Sequence, residues 1–176
     1  MIVGIDLDGT IVDYACLQPV VRVRPDLAEV LGAVGIEIAG RPVAVLSNQG
    51  GLPWGVLGVA REDGRPYPTP AYFLRRLGMA VQALESLGAV VEKVGICVYH
   101  PKAPQEAILR AAEEVEKGIE VGKIQWLITA DPDYRKPRPG LLLWAGVAMY
   151  IGDDEIVDGG AAALASVPFI RVPRFL

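Results

Sequence analysis

Histidine occurs once in this 176-residue chain and cysteine twice, at Cys16 and Cys97, far apart. Two distant cysteines cannot form a disulfide framework, so reduced thiols are expected. Nor is there an excess of positive charge: 17 Lys and Arg stand against 21 Asp and Glu, a formal net charge of -4. That balance disfavours a protein that coats nucleic acid through charge alone and leaves room only for a local basic patch. No run of about 18 apolar residues is free of charges or Gly and Pro, so no membrane span is expected. The opening MIVGIDLDGT lacks a basic region followed by a long apolar stretch, so no signal peptide is expected. The expectation is a soluble, cytoplasmic protein. What is abundant is apolar material. With 52% hydrophobic and 22% charged residues, the chain can bury a substantial core in one domain spanning 1–176.

Short apolar runs alternate with helical periodicity. Met1 to Asp6, Pro42 to Ser47, Val90 to Tyr99, Ala148 to Ile151 and Val167 to Val172 read as buried strands. Helices are expected over Pro25–Ile38, with Leu27, Val30, Leu31 and Val34 at helical spacing, and over Thr69–Leu87, Pro104–Lys117, Pro139–Val147 and Gly159–Ala165. Ile124 to Thr129 fits a strand or a helical turn equally, and the Gly- and Pro-rich stretch from Gly50 to Pro70 reads as a long loop. Strands alternating with helices indicate an α/β fold of three layers, a mainly parallel Rossmann-like sheet covered on both faces. Ligands bind such sheets beyond the carboxyl ends of the strands.

Four polar motifs fall at expected strand ends or helix starts. Asp6-Leu7-Asp8-Gly9-Thr10 follows the first strand. Residues i and i+2 of an extended chain point the same way, so Asp6 and Asp8 can share a divalent cation or divide nucleophile and acid/base roles. Gly9 permits a sharp turn and close approach of the backbone to a ligand. Ser47-Asn48-Gln49-Gly50-Gly51 ends the second strand, where a hydroxyl with free backbone N–H groups can hold phosphate oxygens. Arg135-Lys136-Pro137-Arg138-Pro139-Gly140 precedes a helix, and its lysine can neutralise a carboxylate and a phosphate together. Gly152-Asp153-Asp154-Glu155 and Asp158 follow the fourth strand. Acids so crowded repel unless a cation is near, and Mg²⁺ takes a few carboxylates with water and phosphate oxygens. Glu155 is explained by the preference for acids at a helix start.

In this order, the four motifs resemble those of the haloacid dehalogenase (HAD) superfamily, over Ile2 to about Val172. SNQGG followed by RKPRPG resembles its small branch of sugar-phosphate, histidinol-phosphate and polynucleotide 3'-phosphatases. The resemblance implies a Mg²⁺-dependent phosphomonoesterase. Asp6 would attack phosphorus, and Asp8 would protonate the leaving oxygen and then activate water. Ser47 and the Asn48 backbone would hold the phosphoryl group, with Gly9, Thr10 and Arg135 as further phosphate-side candidates. Lys136 would steady nucleophile and phosphate. Asp153 would ligate Mg²⁺ with Asp6 and the Asp8 carbonyl, and Asp154 or Asp158 would support the metal.

The chain departs from that branch in two places. Relatives often carry a zinc loop, of which only Cys97 and His100 remain here. Asp131 and Asp133 stand where two cysteines would be, so a structural Zn²⁺ is not expected and His100 reads as a loop residue. The spacing from Asp153 to Asp158 is also one residue longer than the resemblance leads one to expect. No segment is long enough for a large cap domain, so the site should be open. In the loop after the second motif, Trp54 is expected to pack underneath, with Arg61 and Arg65 solvated; alternatively, these residues and Tyr67 stack on a base and hold a backbone phosphate. The expected partner is a small phosphorylated substrate (sugar, nucleotide or amino-alcohol phosphate). The alternatives are a nucleic-acid end, for a polynucleotide 3'-phosphatase, and an inactive scaffold used for binding.

Overall fold

The strands run β1 (Ile2–Ile5), β2 (Pro42–Asn48), β3 (Val90–Cys97), β4 (Gln125–Thr129), β5 (Val147–Gly152) and β6 (Phe169–Arg171) in this computed structural model, which describes residues 1–15, 18–120 and 122–176. Between them lie α1 (Leu27–Ala33), α2 (Leu52–Val56), α3 (Pro70–Ser86), α4 (Gln105–Lys117), α5 (Gly140–Ala145) and α6 (Gly160–Leu164). A 3₁₀ turn (Pro132–Tyr134) and a π-helical turn (Glu155–Gly159) complete the set. Cys16, and the expectation of its reduced thiol, lies outside the described residues; Cys97 is free and buried.

All strand pairs are parallel, in the order β4-β3-β2-β1-β5-β6. From β1 the chain builds outward to β4 on one side, then returns to place β5 on the other. The carboxyl ends of β1 and β5 therefore flank the point where strand order reverses, which is where open parallel sheets form crevices. The fold is α/β and Rossmann-like, with no large separate cap among the described residues.

The period-two alternation of the strands divides the core into two layers. Val3 and Ile5 of β1, Val43 and Val45 of β2, and Val94 and Ile96 of β3 face a layer closed by Leu27 and Leu31 of α1, Phe73, Leu77 and Leu84 of α3, and Ile108 and Val115 of α4. Ala44 and Leu46 of β2, Cys97 of β3 and Tyr150 of β5 face the opposite layer, closed by Leu141, Leu142 and Ala145 of α5 and Ala161 and Ala162 of α6. The entry to α3 is set by Thr69, whose hydroxyl accepts the Tyr72 amide at 3.2 Å, and by Pro70 in the first turn.

Three local expectations are corrected or decided. The stretch 50–70 is not all loop: it contains α2, whose Pro53 sits in a first turn where its missing N–H costs nothing. Of the segment from Ile124 to Thr129, Gln125–Thr129 is a strand, because parallel pairing with β3, invisible to periodicity, satisfies its backbone. The first helix is shorter than Pro25–Ile38 and ends at Ala33. Among the described residues no helix is long and apolar enough to cross a membrane.

Phe73 is wholly buried at the centre of the larger layer. Phe73→Ala is expected to destabilise the fold by about 3–5 kcal/mol. Denaturant unfolding at unchanged m-value checks this; a loss under about 1 kcal/mol would show that the layer collapses around the gap.

Candidate active site

β1 is lengthened by one backbone bond, from the Asp6 amide to the Ile151 carbonyl at 2.9 Å, which fixes Asp6 against β5. The chain then turns sharply, with the Leu7 carbonyl accepting the amides of Ile11 and Val12 at 3.0 and 3.1 Å. Gly9 makes the turn possible with φ of +85°, and a Cβ there would lie 2.7 Å from Asp153 Oδ2. The glycine is thus required both by the left-handed backbone and by the carboxylate packed on it.

Lys136 is the centre of the cluster. Its ammonium donates to Asp6 Oδ1 at 2.5 Å, Asp158 Oδ1 at 2.6 Å and Tyr150 Oη at 2.7 Å, with the Leu46 carbonyl at 3.3 Å. The side chain is 2% exposed and its two carboxylate partners 8% and 2%. Asn48 grips the lysine's backbone from both sides, donating from Nδ2 to the Lys136 carbonyl and accepting its amide at Oδ1, each at 2.9 Å. The second and third motifs are thereby joined.

The spacing from Asp153 to Asp158 has a structural reason. Residues 155–159 form a π turn, with the Gly159 amide reaching back five residues to the Asp154 carbonyl at 3.2 Å. The wide turn carries Asp158 back over Gly152 onto Lys136. Asp154 is used differently. Its Oδ1 accepts the amides of Ile156 and Val157 at 3.0 and 2.9 Å, capping the turn. Those bonds, the Val157 amide foremost, hold its carboxyl below the usual carboxylate range.

Asp6, Asp153 and Asp158 are all buried, and each offers an oxygen within 4.8 Å of the others'. Three hard oxygen donors suit Mg²⁺, so the donor set fits such an ion. Burial raises the Asp6 carboxyl well above its ordinary value; Lys136 opposes this, while Asp158 and Asp8 add to it. Burial alone would lower the Lys136 ammonium, yet Asp158 and Asp6 beside it hold it well above the ordinary lysine value. Burial likewise pushes the Tyr150 phenol upward, with Lys136 opposing.

The Asp8 carboxylate stands outside this group. Its Oδ1 accepts Arg76 Nη2 at 2.7 Å and Nε at 3.2 Å, while Oδ2 accepts Gln49 Nε2 and, at 3.4 Å, Ser47 Oγ. Arg76 also pairs with buried Asp13 at 2.7 Å, tying α3 to the turn after β1. No protein-family model matches the chain, and no curated protein matches it.

A cleft of about 480 Å³ opens over these groups, lined by Asp6, Asp8, Ser47, Asn48, Arg135 and Lys136 among others. Gly9 and Thr10 do not line it. Thr10 is wholly buried with Oγ1 unbonded, so its expected contact with phosphate is corrected: the turn points it into the protein. Arg135 donates to the Tyr99 carbonyl at 2.8 Å, with its guanidinium against Gly50. The reading of Arg61 as solvated is corrected too. Trp54 lines the cleft, edge-on to His100 at 5.8 Å and tilted to Tyr67 at 6.3 Å. Arg61 is half-buried over the Tyr67 ring at 5.4 Å; Arg65 is exposed and pairs with Asp63 at 2.6 Å. The residues set against a zinc loop in the sequence are engaged separately: the Cys97 thiol donates to the Asp131 carbonyl, His100 Nδ1 accepts the Lys102 amide, and Asp131 caps Asp133.

Sequence reasoning missed Tyr150, Arg76 and Arg174, and passed over Gln49 inside its motif. Arg76 left a signal, a charge on the apolar stripe of Phe73, Leu77 and Ala80. Tyr150 reads as ordinary strand, and Arg174 carries no local pattern.

His100, the chain's one histidine, reports on the cleft. Burial first, then Arg135 and Lys102, hold its imidazole below the ordinary 6.5. The folded ring therefore resists protonation longer than the unfolded one. Stability should fall as pH drops below about 6.5 and level off below the folded pKa. An NMR titration should give a midpoint under 6.5, moving up in Arg135→Ala; a midpoint at or above 6.5 would contradict the geometry.

Proposed function

We propose that this chain is a Mg²⁺-dependent phosphomonoesterase that works through an aspartyl-phosphate on Asp6, as the resemblance to the HAD superfamily implies. The observation that carries the reading is the buried Asp6 carboxylate, held at a strand end by Lys136 at 2.5 Å and joined by Asp153 and Asp158. Asp6 is turned into a cleft that also presents the Ser47 hydroxyl and Asp8.

An Asp6 oxygen attacks phosphorus, the bond to the leaving oxygen breaks, and that oxygen takes a proton from the Asp8 carboxyl. Asp8, now a carboxylate, removes a proton from water, whose oxygen attacks the aspartyl-phosphate. Phosphate leaves and Asp6 is restored. Splitting the hydrolysis this way replaces one difficult step with two easier ones. Lys136 keeps Asp6 in place and balances charge on the transferring group. Ser47 holds a phosphoryl oxygen, while Gln49 and Arg76 fix the Asp8 carboxylate. Held by Asp6, Asp153 and Asp158, Mg²⁺ would supply charge stabilisation to the phosphoryl oxygens.

A cleft of about 480 Å³ suits a small phosphorylated molecule. A second reading, a 3'-phosphatase for nucleic-acid ends, is favoured by one observation: Trp54, Tyr67, Arg61 and Arg135 line the same cleft and offer ring faces and guanidinium groups. An inactive binding scaffold would have no need of Asp6, Asp8, Lys136 and the buried acids together.

Aryl-phosphate hydrolysis should require Mg²⁺, vanish on chelation and fall to background in Asp6→Asn. Lys136→Ala should lower kcat by about 10²–10³. Activity indifferent to chelator, or an Asp6→Asn variant that turns over normally, would sink the proposal. Comparing kcat/KM for sugar and nucleotide phosphates with that for 3'-phosphorylated oligonucleotides decides between the two substrate readings.

A further inference from the structure

We propose that the segment Pro173–Phe175 is a strap that delivers Arg174 to Asp153, making Arg174 the positioning residue for the Mg²⁺ ligand set. The inference rests on the metal site of the proposed function and concerns what holds that site in shape.

The strap is tied along its length. After β6 the Val172 amide donates to the Gly152 carbonyl at 2.9 Å, continuing the pairing past the end of β5. Three residues further, the Phe175 amide donates to the Gly9 carbonyl at 2.7 Å, and the Phe175 carbonyl accepts the Tyr14 amide at 2.8 Å. Arg24 donates to the carbonyls of both Pro173 and Gly9, bridging strap and turn. The Phe175 ring lies beneath the guanidinium groups of Arg22 and Arg24 at 5.3 and 5.4 Å. The strap is therefore bonded at one end to the strand that carries Asp153 and at the other to the turn that follows Asp6.

Arg174 sits between these anchors. Its guanidinium lies 4.2 Å from the centre of the Tyr14 ring. Nε donates to Asp153 Oδ2, and Nη2 donates to Asp154 Oδ2 at 3.0 Å. One planar fork thus spans two neighbouring carboxylates, which a lysine's single ammonium cannot reproduce. Asp153 is 2% exposed and packed on Gly9, so its orientation is set by that glycine beneath and Arg174 alongside. Carboxylates that bind metals are held by outer hydrogen bonds, and losing such a bond weakens metal binding by roughly 10–100-fold. The opposite effect is repulsion between guanidinium and cation, which would make Arg174 a competitor. The anchored strap favours positioning: a competitor would need to withdraw, and four backbone carbonyl and amide contacts hold this one in place.

Calorimetric titration of Mg²⁺ into the chelator-treated full chain tests this. Arg174→Ala should bind Mg²⁺ about 10–100-fold more weakly than wild type. Arg174→Lys should recover only part of the loss. Phe175→Pro, which keeps Arg174 but removes the N–H bonded to Gly9, should also weaken binding. Circular dichroism without metal should match wild type for each variant. If Arg174→Ala does not fold, Arg174→Lys carries the test and must bind more weakly than wild type. Wild type and variants binding alike, or the variants binding more tightly, would overturn the strap and leave the metal site standing. A wild-type chain that takes up no Mg²⁺ would overturn both.

Discussion

One buried ammonium organises this protein's chemistry. Lys136 sits where Asp6, Asp158 and Tyr150 converge, and its three protons have oxygen partners from three different segments of the chain. Burying one charge is costly, and burying carboxylates without compensation is costlier. Two of the acids can come together here because the lysine is between them. Asp153 lies beyond the lysine's reach and takes Arg174 as its cation instead. Three buried carboxylates set against Lys136 and Arg174 still carry an excess of negative charge, which the proposed Mg²⁺ would balance.

Each partner of Lys136 depends on a backbone feature some distance away. Parallel pairing of β1 with β5 brings the first and fourth motifs side by side at the reversal of strand order. The Asn48 clamp, at the end of β2, fixes the loop that presents the lysine. The π turn after Asp154 turns Asp158 inward onto the lysine. The site is thus a property of the sheet and its turns.

Much of this was legible in the sequence, and the reasons differ by element. Apolar runs bounded by Gly, Pro and acids marked five strands, because parallel strands buried on both faces have no polar positions to confuse the pattern. β4 could not be told from a helical turn, since only its neighbour β3 decides it. The residues nominated for the site converge where they lie at strand ends, as with Asp6, Ser47 and Asp153. Thr10 fails because the turn at Gly9 carries it into the core. Asp154 and Asp158 could not be separated by spacing; the hydrogen bonds of the π turn separate them. Tyr150, Arg76 and Arg174 act through contacts 14 to 68 residues away in sequence, and of the three only Arg76, a charge on an apolar helix stripe, leaves a local signal.

The decisive question is whether phosphorus becomes bonded to Asp6. Borohydride added to the protein quenched during turnover reduces an acyl phosphate to the alcohol, and peptide mass analysis then locates the reduced residue. The account predicts that the first aspartate of the chain, and no other, is converted to homoserine, and only when substrate and Mg²⁺ are both present. Reduction at a different carboxylate, or none while phosphate is being released, would contradict it.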